Sequence, residues 1–134
     1  MRTKIAACLG TLSLSAGMLL AMPGAAHADG IPYRYNVPVG QTYTKGDVIF
    51  YNRSVGVVGE QKSVTPSSCR YTRATAYDSY SHIIGESSST PVCGASAKVN
   101  LAVSADVPGG ADYVVVCLVH WRGDDVLKCQ GIDP

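Results

Sequence analysis

The sequence predicts an all-β fold: a small antiparallel β-sandwich or barrel, built from hairpins and held by two disulfides. Three observations predict it. Beyond residue 28 no stretch spaces its apolar residues as a helix would, whereas several alternate with period two. Turn-forming clusters of Gly, Pro, Asp and Ser recur at intervals of roughly 10 to 15 residues, the spacing of short strands joined by hairpins. Four cysteines remain once the N-terminal segment is set aside, an even number in a short chain.

That N-terminal segment, residues 1–28, reads as a signal peptide. Arg2 and Lys4 give it a positive start, and Leu9 to Ala21 an apolar stretch too short to span a membrane. Pro23 and Gly24 then interrupt any helix, and Ala26-His27-Ala28 is a small-residue cleavage site. Cys8, after Ile5-Ala6-Ala7, competes as a lipid-attachment site, but it precedes the apolar stretch, where such a signal does not work. Residues 29–134 are then expected to be one soluble, secreted, extracellular domain. Losing Arg2 and Lys4 takes the net charge from +1 to −1. A chain this close to neutral, with its charges scattered singly, has no electrostatic footprint for nucleic acid or an anionic membrane.

The elements follow in order. Residues 29–46 are rich in Tyr, Pro and Gly, and Pro32 and Pro38 lack donors, so the segment predicts at most an edge strand or extended arm. Val48 to Tyr51 is a short apolar strand. Val55 to Val58 and Gln61 to Val64 suggest two more around Gly59. From Cys69 to Tyr77 the odd positions are Cys, Tyr, Arg, Thr and Tyr, and β-branched and aromatic residues without helical periodicity predict a strand. Asp78 to Ser81 is a turn, His82 to Ile84 a returning strand, and Glu86 to Pro91 a polar loop. Lys98 to Ser104 alternates, with Val99, Leu101 and Val103 on one face, as in a half-buried strand. Pro108-Gly109-Gly110 is a turn. Tyr113 to Val119 is apolar throughout, as in a strand covered on both faces. Arg122-Gly123-Asp124 turns the chain into a last strand, Val126 to Cys129.

Hairpin symmetry selects the disulfides. Opposed residues of an antiparallel pair lie equally far from the turn between them. Cys69 and Cys93 centre on residue 81, and Cys117 and Cys129 on residue 123, both inside predicted turns. The expected bonds are therefore Cys69–Cys93 and Cys117–Cys129, formed at the closer, non-hydrogen-bonded type of pair. The rival pairing, Cys69 with Cys117 across two sheets, usually places a Trp between the cysteines, and here Trp121 follows both.

Chemistry is sparsely signalled. No nucleophile elbow, calcium loop, zinc spacing, phosphate loop or dinucleotide fingerprint occurs, so neither a metal nor a cofactor is expected. His82 and His120 are the mature histidines, and either, with a nearby carboxylate, would be the base of a small secreted hydrolase. Asp78 and Glu86, flanking the first hairpin, are spaced as a glycoside-cleaving carboxyl pair could be, although turn-capping explains them as well. Arg122-Gly123-Asp124 is also the tripeptide that integrin-type ligands expose, but a hairpin needs a residue such as Gly123 there for positive φ in any case. Trp121, Arg122 and Asp124 at a disulfide-braced tip suit a contact hot spot. Tyr33 and Tyr35 offer a second apolar surface with polar tips. The favoured expectation is a non-catalytic binding or inhibitor module whose partner is an extracellular protein or carbohydrate. The hydrolase is one alternative, and a structural or antimicrobial exported protein is another, although no cationic amphipathic segment is present for membrane attack.

Overall fold

The computed structural model describes residues 30–134. The expected signal peptide lies outside the described residues. Nine strands form among them: β1 (Pro32–Val39), β2 (Thr42–Phe50), β3 (Ser54–Lys62), β4 (Cys69–Tyr77), β5 (Ile83–Ser88), β6 (Val92–Cys93), β7 (Ser96–Ser104), β8 (Tyr113–His120) and β9 (Val126–Ile132). They make two antiparallel sheets, β1-β2-β3-β7 and β5-β4-β8-β9, with β6 pairing to β4 beyond the end of β5.

The alternation of side chains builds the core between the sheets. Val37, Val48, Val57 and Val103 point inward from the first sheet, and Val114, Val116 and Leu118 from the second. β7 follows its expected pattern, with Val99, Leu101 and Val103 buried and Lys98, Asn100 and Ser104 exposed. β8 is covered on both faces only towards its C-terminal end. Its inward residues are fully buried, and Cys117 and Val119 on the outer face pack with Tyr71 in a second small cluster. Tyr113 and Val115 are half-buried, because no further layer of the described residues lies over that face of the sheet. At one side of the sandwich the Asn36 N–H of β1 donates to Gln130 Oε1 of β9 at 2.8 Å, covering part of an edge that would otherwise present unpaired backbone groups.

One end of the interior is polar rather than apolar. Thr44 and Gln61 on the first sheet meet Thr72 on the second, all three buried. The Thr72 hydroxyl lies 2.8 Å from both Thr44 Oγ1 and Gln61 Oε1. One proton cannot serve both, so a consistent arrangement has Thr44 donating to Thr72 and Thr72 to Gln61. Ser89 donates to the same Gln61 oxygen at 2.6 Å, and Gln61 Nε2 donates to the Thr90 carbonyl at 2.7 Å. Such a network tolerates burial because its members satisfy one another.

Both disulfides are the expected ones. Cys69 opposes Cys93 with Cα atoms 4.2 Å apart, and Cys117 opposes Cys129 at 4.1 Å. These are short separations, in the range of the narrow cross-strand pairs. Bonds of this kind form and persist in oxidising environments, of which the cell exterior is one.

Several strand boundaries differ from the expected ones. The chain around Gly59 is a single strand, β3, and the short run at Val48 belongs to the longer β2, which starts at Thr42. The cause is a glycine pair. Gly46 and Gly59 face each other across β2 and β3, and a Cβ on either would run into the backbone of the other strand. Two glycines interrupt the apolar pattern without interrupting the pairing. β1 is the edge strand that its prolines predict. The expected loop 86–91 begins late, because β5 continues to Ser88.

Candidate functional site

The outward faces of the two sheets differ in chemistry. On the first sheet, Arg34 lies opposite Asp47, Lys45 opposite Glu60, and Glu60 opposite Lys98. Arg34 and Asp47 approach to 3.6 Å, the Tyr43 hydroxyl donates to Glu60, and Lys45 sits 4.5 Å over the Tyr43 ring. This is a solvated face of largely self-compensating charge. The second sheet turns Tyr71, Tyr77, Tyr113, Val115 and Val119 outward, with Tyr77 and Tyr113 stacked at 4.8 Å. At the end of that face stands the β8–β9 hairpin.

The hairpin tip is held on every side. Gly123 and Asp124 both take positive φ, 82° and 52°, which reverses the chain in a few residues. The Trp121 N–H donates to the Cys69 carbonyl at 3.1 Å, and the His120 N–H to the Asp125 carbonyl at 2.8 Å. His120 Nδ1 lies 2.9 Å from the Arg122 carbonyl oxygen and 3.1 Å from its N, while Nε2 lies 3.3 Å from Ser68 Oγ. Arg70 donates to the same Ser68 hydroxyl at 2.8 Å and to the Cys69 carbonyl at 3.1 Å. The Tyr71 hydroxyl donates to Asp124 Oδ1 at 2.9 Å. Burial first, and then this bond to a carboxylate, raises the Tyr71 phenol above its ordinary range.

Trp121 keeps about half of its surface exposed (51%). Two shallow depressions adjoin it. One, of about 250 Å³, is lined by Tyr71, Ser88, Ser89, Pro91, Trp121 and Asp124. The other, of about 260 Å³, is lined by Cys69, Pro91, Cys93 and Trp121. Their far wall is as fixed as the hairpin. The Ser89 N–H donates to the Thr72 carbonyl, and its Oγ accepts the Thr72 N–H, both at 2.9 Å. The Cys69–Cys93 bond anchors the chain two residues after Pro91. The cleft is therefore preorganised: a ligand would order little protein on binding.

The sequence-derived residues separate in space. Trp121, Arg122 and Asp124 share the tip, all three exposed, with Asp124 also bonded to Tyr71. Tyr33 is half-buried and meets Phe50 edge-on at 5.8 Å. Tyr35 does not reach the surface expected of it. It is 2% exposed, its hydroxyl has no hydrogen-bond partner, and burial raises its phenol, partly offset by the neighbouring Thr44 hydroxyl. Inward alternation along β1 sends it to the core. The four cysteines act as paired.

The two histidines differ in their partners. His82 Nδ1 lies 3.3 Å from Asp78 Oδ2 in an exposed turn. Asp78 spends its other oxygen on the Tyr80 and His82 N–H groups at 2.9 Å each, the His82 bond leading the effects that lower its carboxyl. His120 has Ser68 at one nitrogen and the Arg122 backbone at the other, with no carboxylate. Glu86 accepts the Thr75 hydroxyl at 3.1 Å. Among the described residues no group of three or more His, Cys, Asp or Glu could hold a metal ion, and no helix is long and apolar enough to cross a membrane.

Sequence reasoning missed Tyr71, Ser88, Ser89 and Pro91 as parts of the cleft. Tyr71 was accessible in principle, because period-two alternation puts it on the face of Cys69. The serines were hidden in a stretch that reads as solvated loop. Comparison with protein-family models, curated proteins and solved structures finds no match to this chain.

Proposed function

We propose that this protein is exported after removal of residues 1–28 and acts as a non-catalytic extracellular binding module, contacting its partner through the Trp121–Arg122 hairpin tip. The observation that carries this reading is the state of Trp121. Half its surface is open to solvent, yet its backbone is pinned to Cys69 and its neighbours are braced by a disulfide and a hydrogen-bonded turn. Exposing a large apolar ring on a rigid support costs solvation without serving the core, and such anchors are what binding hot spots are made of. The two disulfides and the signal-like N-terminus agree with export.

The test is affinity capture from native culture fluid with the mature domain as bait, alongside the Trp121→Ala/Arg122→Ala double variant. Material retained by the wild type and lost by the variant supports the tip as the contact. Equal retention by both removes it. N-terminal sequencing of secreted protein should begin at Asp29.

A further inference from the structure

We propose that the cleft around Trp121 is a binding site for neutral carbohydrate, with the indole as platform for a pyranose ring and the Asp124 rim as its hydrogen-bond acceptor. The inference rests on the binding reading above and names its ligand class.

The two sides of the cleft match the two sides of a sugar. A pyranose ring presents a face of C–H groups and a rim of hydroxyls. Here Trp121, Pro91 and the Cys69–Cys93 bond supply an apolar wall, and Asp124 and Ser88 supply polar groups beside it. Asp124 is oriented before any ligand arrives, because Tyr71 holds its Oδ1 at 2.9 Å. Its Oδ2 and the Ser88 hydroxyl carry no protein hydrogen bond among the described residues, whereas Ser89 is spent on Gln61 and Thr72. A carboxylate oxygen with open lone pairs accepts sugar hydroxyls through charge-assisted bonds. The two depressions share Trp121 and Pro91 and are similar in size, about 250 and 260 Å³. A repeating ligand can fill both, which a single side chain cannot.

Two other ligand classes fit less well. A cation would use aromatic faces together with Asp124. But Tyr71 is 8% exposed, so Trp121 offers the one open ring, and Arg122 stands exposed next to it. A purely apolar side chain would cover Asp124 and Ser88 without pairing them, and an unpaired polar group is costly to bury.

Trp121 is the only tryptophan in the chain, so its fluorescence reports on this cleft alone. The disulfide-intact domain is titrated with soluble neutral oligosaccharides of glucose, xylose, mannose and N-acetylglucosamine. Choline and a lysine-rich peptide serve as comparison probes. The expected result is a saturable shift in emission with at least one neutral oligosaccharide. Asp124→Ala should weaken it about tenfold, the loss of one charge-assisted hydrogen bond. Because Asp124 takes positive φ, its replacement can disturb the turn, so Ser88→Ala is measured beside it and should weaken the same response severalfold. Absence of a saturable response to every neutral sugar, with near-ultraviolet circular dichroism intact, overturns the inference. So does a response confined to choline or the peptide. If the sugars fail while Trp121→Ala/Arg122→Ala still loses a captured partner, the carbohydrate assignment falls and the binding reading stands.

Discussion

Tyr71 of β4 and Asp124 of the β8–β9 tip are joined by a hydrogen bond of 2.9 Å that ties the sheet to the hairpin it carries. The donor is a strand residue with 8% of its surface exposed, and the acceptor is a turn residue with φ of 52°. The bond fixes where the tip stands relative to the face below it. Tyr71→Phe keeps the ring and removes the donor. It should lower stability by about 1 kcal/mol, the worth of one such bond, and loosen residues 121–125. Urea denaturation measures the first effect, and amide exchange of the tip the second. An unchanged exchange rate would show that the remaining bonds hold the tip unaided.

Tyr35 predicts the opposite sign. Its buried hydroxyl makes no hydrogen bond, so its desolvation is offset only in part, by the neighbouring Thr44 hydroxyl. Tyr35→Phe should leave stability at pH 7 unchanged or raise it by up to about 1 kcal/mol. The phenol is raised by burial, so the folded state resists ionisation more than the unfolded chain does. Its contribution is fully present below the unfolded value of about 10 and is lost as pH climbs through the folded value. Thermal midpoints measured between pH 8 and 11.5 should fall steeply above about pH 10, and less steeply in the variant.

The disulfides should be worth about 3 kcal/mol each. The loops they close differ, with sequence separations of 24 and 12, so losing Cys69–Cys93 should cost slightly more than losing Cys117–Cys129. Paired Cys→Ser variants in urea denaturation test the size. Peptide mapping of unreduced protein tests the pairing, and a fragment joining Cys69 to Cys117 would refute it.

Gly59→Ala should destabilise the first sheet by more than about 2 kcal/mol. The new Cβ would meet the Lys45 carbonyl oxygen and the Gly46 Cα, which are backbone and cannot swing aside. Gly131→Ala is the control, because a Cβ there meets nothing within 4 Å. Equal midpoints for the two variants would contradict the close approach of β2 and β3.

The legible parts of the fold were those set by local periodicity and symmetry. Val99, Leu101 and Val103 alternate, so the buried face of β7 could be read directly. Cys69 and Cys93 could be paired from their turn, although β4 changes partner from β5 to β6 between Arg73 and Arg70. The register slips along the way, yet the cysteines still end directly opposed. What stayed hidden was non-local. Gly46 and Gly59 look like turn residues until the strand opposite is known. Thr44, Gln61 and Thr72 look solvent-facing until they are seen bonding one another. Trp121, Arg122 and Asp124 could be named as a tip from the Gly123 turn, but Ser88 and Pro91 join them only through the pairing of β4. Tyr35 was misplaced because tyrosine suits a surface and a core equally, and only alternation along a paired β1 decides between them.

The most direct test of the account is comparative capture from native culture fluid by the immobilised mature domain and by its Trp121→Ala/Arg122→Ala variant, both confirmed as folded. The account predicts material that the wild type retains and the variant releases. Identical retention by the two would show that the braced tip is not the surface through which this protein acts.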